Sequence, residues 1–193
     1  MRYKEYNVNR VAEKCMFLFW EHGFGGSPIK DIVEATGVNR FSLYHEFENK
    51  EGILYGALKL YRERYCDDKF AILEKDGRPE QLLANFYLSF LNSNNPVEGC
   101  FFIHVGTEMA DSDPQIKALL KEYLHEIEKL FIELLEKHSD TKENASFLAR
   151  HLIGLYCTSM SFCLIHTEEQ RLSHISNGIN LILNKHVDHA TSP

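Results

Sequence analysis

The 193-residue chain has no run approaching 18 uncharged apolar residues, and no apolar N-terminal stretch of the kind that directs secretion. Membrane spans and export are set aside, and a cytoplasmic protein is expected. Cysteine is scarce and odd in number (Cys15, Cys66, Cys100, Cys157, Cys163), with no Cys-x-x-Cys pair. That speaks against a disulfide framework or a structural zinc site and predicts reduced thiols. Gly-x-Ser-x-Gly elbows, phosphate-cradling glycine loops and His-Glu-x-x-His pairs are missing too, so no catalytic residue, metal or cofactor is expected and the chain reads as a non-enzyme. Repeats and low-complexity tracts do not occur. Nor is there an excess of positive charge. The net charge is −7, with seven Lys/Arg against seven Asp/Glu in residues 1–50 and the whole acidic surplus beyond them.

What is present is one helical pattern after another. A polar arm, residues 1–6, carries Arg2 and Lys4, which either lie along a partner or fray. From Asn7 a first amphipathic helix buries positions 8, 11, 12, 15, 16, 19 and 20 and ends at Gly23. Ser27 then serves as an N-cap with Pro28 at the first helical position, Ile29, Ile32 and Val33 form an apolar stripe, and Gly37 closes the helix. Asn39 caps again almost at once, and the next short helix turns Val38, Leu43 and Phe47 inward. Two short helices joined by a tight glycine-containing turn form a helix-turn-helix, whose second helix enters the DNA major groove.

The residues His22-Gly23-Phe24, Asp31-Ile32-Val33, Gly37-Val38-Asn39, Leu43-Tyr44, Phe47 and Asn49-Lys50-Glu51 agree in type and spacing over three consecutive helices. On them the segment closely resembles the DNA-binding domain of the TetR/AcrR family of bacterial one-component repressors. The resemblance implies an all-α fold of about nine helices. Residues 1–50 would be a three-helix DNA-binding domain, and 51–193 a helical ligand-binding and dimerisation domain. Two positions depart from the family pattern. Glu46 stands where His or Tyr is common, and Glu48 where Lys or Gly is usual; both carboxylates repel phosphate.

The DNA-facing set expected from this reading is Ser27, Lys30, Asn39, Arg40, Phe41, Ser42, Tyr44, His45 and Lys50. Arg can read guanine through its bidentate fork, Ser any base, and Phe a thymine methyl. The resemblance assigns Tyr44 and Lys50 to phosphates. Phe41 and Tyr44 have a second reading, packing against the first helix.

Further on, helices are expected at about 50–75, 80–92, 99–110, 114–137, 141–165 and 168–186. An Asn92–Pro96 loop separates two of them, and capping boxes are read at Asp140/Glu143 and Thr167/Gln170. The eighth helix is apolar around most of its circumference, from Phe147 to Ile165, with Gly154, Thr158 and Ser161 as a small-residue face. The ninth carries Leu172, Ile175, Ile179, Ile182 and Leu183. Such faces need burial on both sides, which predicts a homodimer through residues 141–186.

By resemblance, the C-terminal domain binds a small-molecule effector that shifts the two recognition helices. The aromatic supply suits an apolar or flat ligand: Tyr61, Tyr65, Phe86, Phe90, Phe101, Tyr123, Tyr156 and Met160, with Cys100 and His104. Glu98-Gly99-Cys100-Phe101-Phe102, with Glu108 beyond, resembles a branch of the family in which Gly-Cys begins the sixth helix and some members sense electrophiles or oxidants. Cys100 is thus a sensor or a packing residue. The partners expected are an operator duplex, an effector and a second copy of the chain, with no membrane. The alternatives are a thiol-sensing repressor acting through Cys100, or a protein-interaction module that has lost DNA binding.

Overall fold

The computed structural model describes residues 6–91, 97–161 and 165–183. The arm carrying Arg2 and Lys4, the Asn92–Pro96 loop, Phe162, Cys163 and Leu164, and the last ten residues lie outside them.

The helices are α1 (Val8–His22), α2 (Ile29–Thr36), α3 (Arg40–Phe47), α4 (Lys50–Tyr61), α5 (Asp67–Glu74), α6 (Pro79–Leu91), α7 (Phe101–Met109), α8 (Pro114–Glu136), α9 (Ala145–Ser161) and α10 (Glu168–Ile182). A π-helical turn, Arg62–Cys66, joins α4 to α5. Taking that run as one interrupted helix, the described residues form nine helices and no strand.

Local chemistry sets most of the starts and stops. The side chains of Asn7, Asn39 and Asn49 accept hydrogen bonds from the backbone N–H of Arg10, Ser42 and Gly52, each three residues on. Thr167 and Gln170 make the full capping box of α10. Gly37 ends α2 at φ 74°, a left-handed conformation that glycine adopts without steric cost, and donates its N–H to Val33 O.

Two expected caps are replaced. At α2 the position before the helix is Pro28, and Ser27 turns inward instead. It is fully buried, and its hydroxyl donates to Gly23 O at 2.7 Å. A buried hydroxyl needs a partner, and here its proton goes to the carbonyls at the end of α1. Before α9 the Asp140/Glu143 box gives way to a 3-10 turn, Lys142–Asn144. The preceding Thr141 is buried and donates its hydroxyl to Leu135 O at 2.7 Å.

The described residues gather into two compact units. Of the described residues, the first draws on 6–67, 97 and 101–120, and the second on 68–91, 98–100, 121–161 and 165–183. In the first, α1 packs on α2, α4 and α7, and α3 packs on α2 and α4. Its core joins Trp20, Tyr61 and Phe101, whose ring centroids lie 5.4 to 5.8 Å apart. Phe47 lies against α4 at Gly56, where a Cβ would meet its ring at 3.0 Å, so the glycine lets the aromatic approach closely.

In the second unit, α9 packs on α6 and α10. Phe86 is the hub, within 6.1 Å of Phe70, Tyr87, Phe90, Phe131 and Tyr156. Tyr87 stacks on Phe131 and donates to Leu152 O at 2.6 Å, which satisfies the one polar atom of a fully buried ring. α9 is not buried all round. Phe147 is 61% exposed, and on α10 Leu181 is 79% exposed.

Candidate nucleic-acid interface

α3 is eight residues long, and one face of it is fixed. Leu43 is fully buried, Val38 just ahead of the helix is buried, and Phe47 is held by Gly56. Tyr6, which sequence pattern does not single out, donates its hydroxyl to Ser42 O at 3.1 Å and pins the first turn from the N-terminal side. The opposite face carries Asn39, Arg40, Phe41 and His45 exposed, with Ser42 and Tyr44 half-buried.

That outer face is ordered into two rungs by i,i+4 spacing. The Arg40 guanidinium lies 5.1 Å over the Tyr44 ring. The Phe41 and His45 rings lie 6.4 Å apart, tilted by 32°. Together the four side chains line a shallow, largely apolar concavity. Phe41 is 81% exposed, so it does not pack against α1.

The flanking residues of the expected set fare differently. Lys30 is exposed and only loosely paired with Asp31, at 3.9 Å. Ser27 is buried and leaves the DNA-facing set. Lys50 also changes role. Its ammonium donates to Phe24 O and sits 4.1 Å over the Phe24 ring. Burial lowers its pKa, with Glu51 and Glu108 pulling it back up. A lysine engaged in this way holds the loop after α1; it is not a free phosphate contact.

The same loop is gripped from α7. The Glu108 carboxylate accepts from the N–H of Phe24 and of Gly25, each at 2.8 Å. Charge-assisted bonds of this kind are about twice as strong as neutral ones. Two further links complete the frame. Lys14 donates to Ala35 O at 2.7 Å, and Tyr55 on α4 donates to Asp113 at 2.7 Å. Burial, and then that bond, push the Tyr55 phenol up to about 12. Burial alone would raise the Asp113 carboxyl, but the bonds from Tyr55 and from the amides of Ile116 and Gln115 outweigh it and hold the group below its ordinary value. Chain spacing holds no trace of these pins. They join residues 21 to 84 positions apart.

The expected effector residues fall into both units. Tyr61, Tyr65, Phe101 and His104 belong to the first, where Tyr61 stacks on Tyr65 and Tyr65 donates to Glu13 at 2.9 Å. His104 is half-buried, and burial lowers its pKa against the pull of Glu108. Phe86, Phe90, Cys100, Tyr123, Tyr156 and Met160 belong to the second and are all buried. There Cys100 Sγ and the Tyr123 hydroxyl share a hydrogen bond at 3.3 Å, and the Tyr123 and Tyr156 hydroxyls share another at 3.0 Å. Phe70, Phe86 and Phe90 surround this short polar chain.

Among the described residues no helix is long and apolar enough to cross a membrane. Residues 16–56 match the family model for bacterial regulatory proteins of the tetR family. The chain is 33% identical over 124 residues to the HTH-type transcriptional repressor ComR of Escherichia coli K12; the match covers 62% of this chain and 59% of ComR, so it spans less than two thirds of that relative. It is 24% identical over 160 residues to the uncharacterized HTH-type transcriptional regulator YezE of Bacillus subtilis 168, covering 78% of this chain and 82% of YezE. In fold it is similar to the TetR family regulator CifR, a cysteine mutant solved with 26-base-pair operator DNA. The TM-score is 0.80 at 17% identity, over 93% of this chain and 98% of that one. A capped helix with an outward face, the order of helices and these likenesses lead to one conclusion: residues 16–56 are a helix-turn-helix segment of the kind that marks bacterial regulatory proteins of the tetR family, in a chain whose fold is similar to theirs.

Proposed function

We propose that this protein is a ligand-responsive transcriptional repressor that binds a palindromic operator as a homodimer. The observation that carries the reading is the outer face of α3. Arg40, Phe41, Ser42, Tyr44 and His45 project from a helix whose other side is locked into the first unit. Residues 1–50 are the proposed DNA-binding domain and 51–193 the ligand-binding and dimerisation domain. Exposed Phe147, Ile165, Leu172 and Leu181 on and beside α9 and α10 support pairing of two copies, because apolar side chains of this size favour cover from water. A two-fold dimer presents two recognition helices to half-sites about 34–36 Å apart.

The proposed effector is a small apolar or aromatic molecule. Its binding residues are drawn from the aromatic shell around Tyr123 and Tyr156, where two hydroxyls and the Cys100 thiol offer the few polar contacts an apolar pocket needs for orientation. Binding favours a dimer whose recognition helices no longer match the half-sites. A ligand preference of about 10²–10⁴-fold between the two states changes occupancy usefully. Direct thiol sensing is the weaker reading, since Cys100 is only 2% exposed and bonded to Tyr123. The protein acts by binding and not by turnover, in the cytoplasm where the DNA lies.

Selection of random duplex DNA on the purified protein tests the proposal. An enriched palindrome supports it, and Arg40→Ala should relax preference at one base position. No enrichment from a folded dimer favours an interaction module instead, a reading that the neutral charge of residues 1–50 and the carboxylates of Glu46 and Glu48 would then support.

A further inference from the structure

The outer face of α3 carries polar side chains, but the concavity at its centre is almost entirely apolar. Its centre is Phe41, 81% exposed on the first turn of α3. Beside it the Arg40 guanidinium is laid on the Tyr44 ring, and the His45 ring flanks Phe41. The resulting concavity is lined by these four side chains, and most of its surface is carbon. The major groove displays donors and acceptors at every base pair but only one apolar group, the methyl on C5 of a pyrimidine. We infer that Phe41 is a specificity-determining residue that reads a 5-methylpyrimidine in each half-site, the methyl lying between the Phe41 and His45 rings. Thymine and 5-methylcytosine supply the same group.

Four observations fit together here. Phe41 has no route inward, because α3 turns Leu43 to the core and holds Phe47 on Gly56. The Tyr6 bond to Ser42 O fixes the turn that carries Phe41, so the ring is presented from a rigid support. Residues 1–50 as a whole also lack the net positive charge with which many DNA-binders hold the duplex, which leaves more of the discrimination to shape and apolar contact. Finally, the patch is continuous with Asn39, Arg40 and Ser42, the remainder of the proposed DNA surface.

The inference rests on the operator-binding reading, and the test separates the two. Selection first supplies an operator. Each thymine in it is then replaced singly by deoxyuridine, which removes the methyl and leaves base pairing intact. Burying one methyl group is worth about fourfold in affinity, so one thymine per half-site should respond by about that factor, and by about fifteenfold when both half-sites are changed. Phe41→Ala should bind the thymine and uridine operators equally, whereas Phe41→Leu should keep part of the difference and Arg40→Ala all of it. Exchanging the sensitive T·A pair for 5-methylcytosine·G should bind more tightly than cytosine·G; equal binding by the two overturns the methyl contact. Neutral uridine substitutions throughout, or undiminished uridine sensitivity in Phe41→Ala, overturn this inference while leaving the regulator reading in place. A selection that enriches nothing overturns both.

Discussion

Glu48 is the residue at which a single substitution should improve both the fold and the proposed binding. It lies between α3 and α4 with φ 70° and ψ −53°, and among the described residues no other non-glycine has a positive φ. Asn49 N–H donates to Phe47 O at 2.8 Å across it, so Glu48 is the centre of a positive-φ γ-turn. That turn is rare because the Cβ crowds the backbone, at a cost of about 1–3 kcal/mol. Glycine escapes the crowding but gives back about 0.5–1 kcal/mol through the greater freedom of the unfolded chain. Glu48→Gly is therefore expected to stabilise the protein by about 1 kcal/mol, a rise of roughly 2–4 °C in Tm for a chain of this size.

Glu48→Ala is the control. It keeps the Cβ and the crowding and should leave stability within about 0.5 kcal/mol, as an exposed substitution does. Both variants remove an exposed carboxylate beside the recognition helix. At roughly 8 Å from a phosphate in water that charge costs about 0.5 kcal/mol before screening, so two half-sites gain severalfold in affinity at low salt. Thermal unfolding and operator titration at two salt concentrations measure the two effects separately. If Glu48→Gly is no more stable than Glu48→Ala, the turn stores no relievable strain. If neither variant gains affinity at low salt, Glu48 does not face the DNA backbone.

Glu108→Gln replaces one of the two acceptor oxygens facing Phe24 and Gly25 with a donor, and should cost about 1 kcal/mol and speed hydrogen exchange at those two amides above all others. Uniform exchange across the first unit would refute the local grip. Tyr55→Phe removes the bond to Asp113 at a cost of about 1 kcal/mol. Because the phenol is raised to about 12, the difference from wild type should be full below about pH 10 and be lost as pH climbs from there through about 12. Because the carboxyl is depressed, the difference should also shrink as pH falls through the lowered Asp113 pKa, which urea titrations across pH would follow. Leu181→Glu places a charge on a side chain that is 79% exposed in the single chain. It should leave the fold intact by circular dichroism, yield monomers in sedimentation and abolish operator binding; a dimer with full affinity would move the interface elsewhere.

The sequence by itself determined what depends on neighbours along the chain. Asn7, Asn39, Asn49 and the Thr167/Gln170 pair cap helices because their partners lie three residues away, and a three-residue hydrogen bond needs no tertiary help. Gly37 ends α2 for the same local reason, and the apolar periods of α1 and α3 pick out Val11, Cys15, Phe19 and Leu43 as core. Tertiary structure decided wherever a side chain had two partners within reach. Ser27 had the spacing of a cap, whose oxygen would accept from an amide of α2, yet burial turned it inward and its hydroxyl donates to the carbonyl of Gly23 instead. Lys50 had the position of a phosphate contact, yet the loop after α1 brought it the carbonyl and the ring of Phe24. Only packing could place Glu108 on the amides of residues 24 and 25, or leave Phe41 standing in water. Contacts across such distances have no period in the chain, and they exist only once the helices between them have been set.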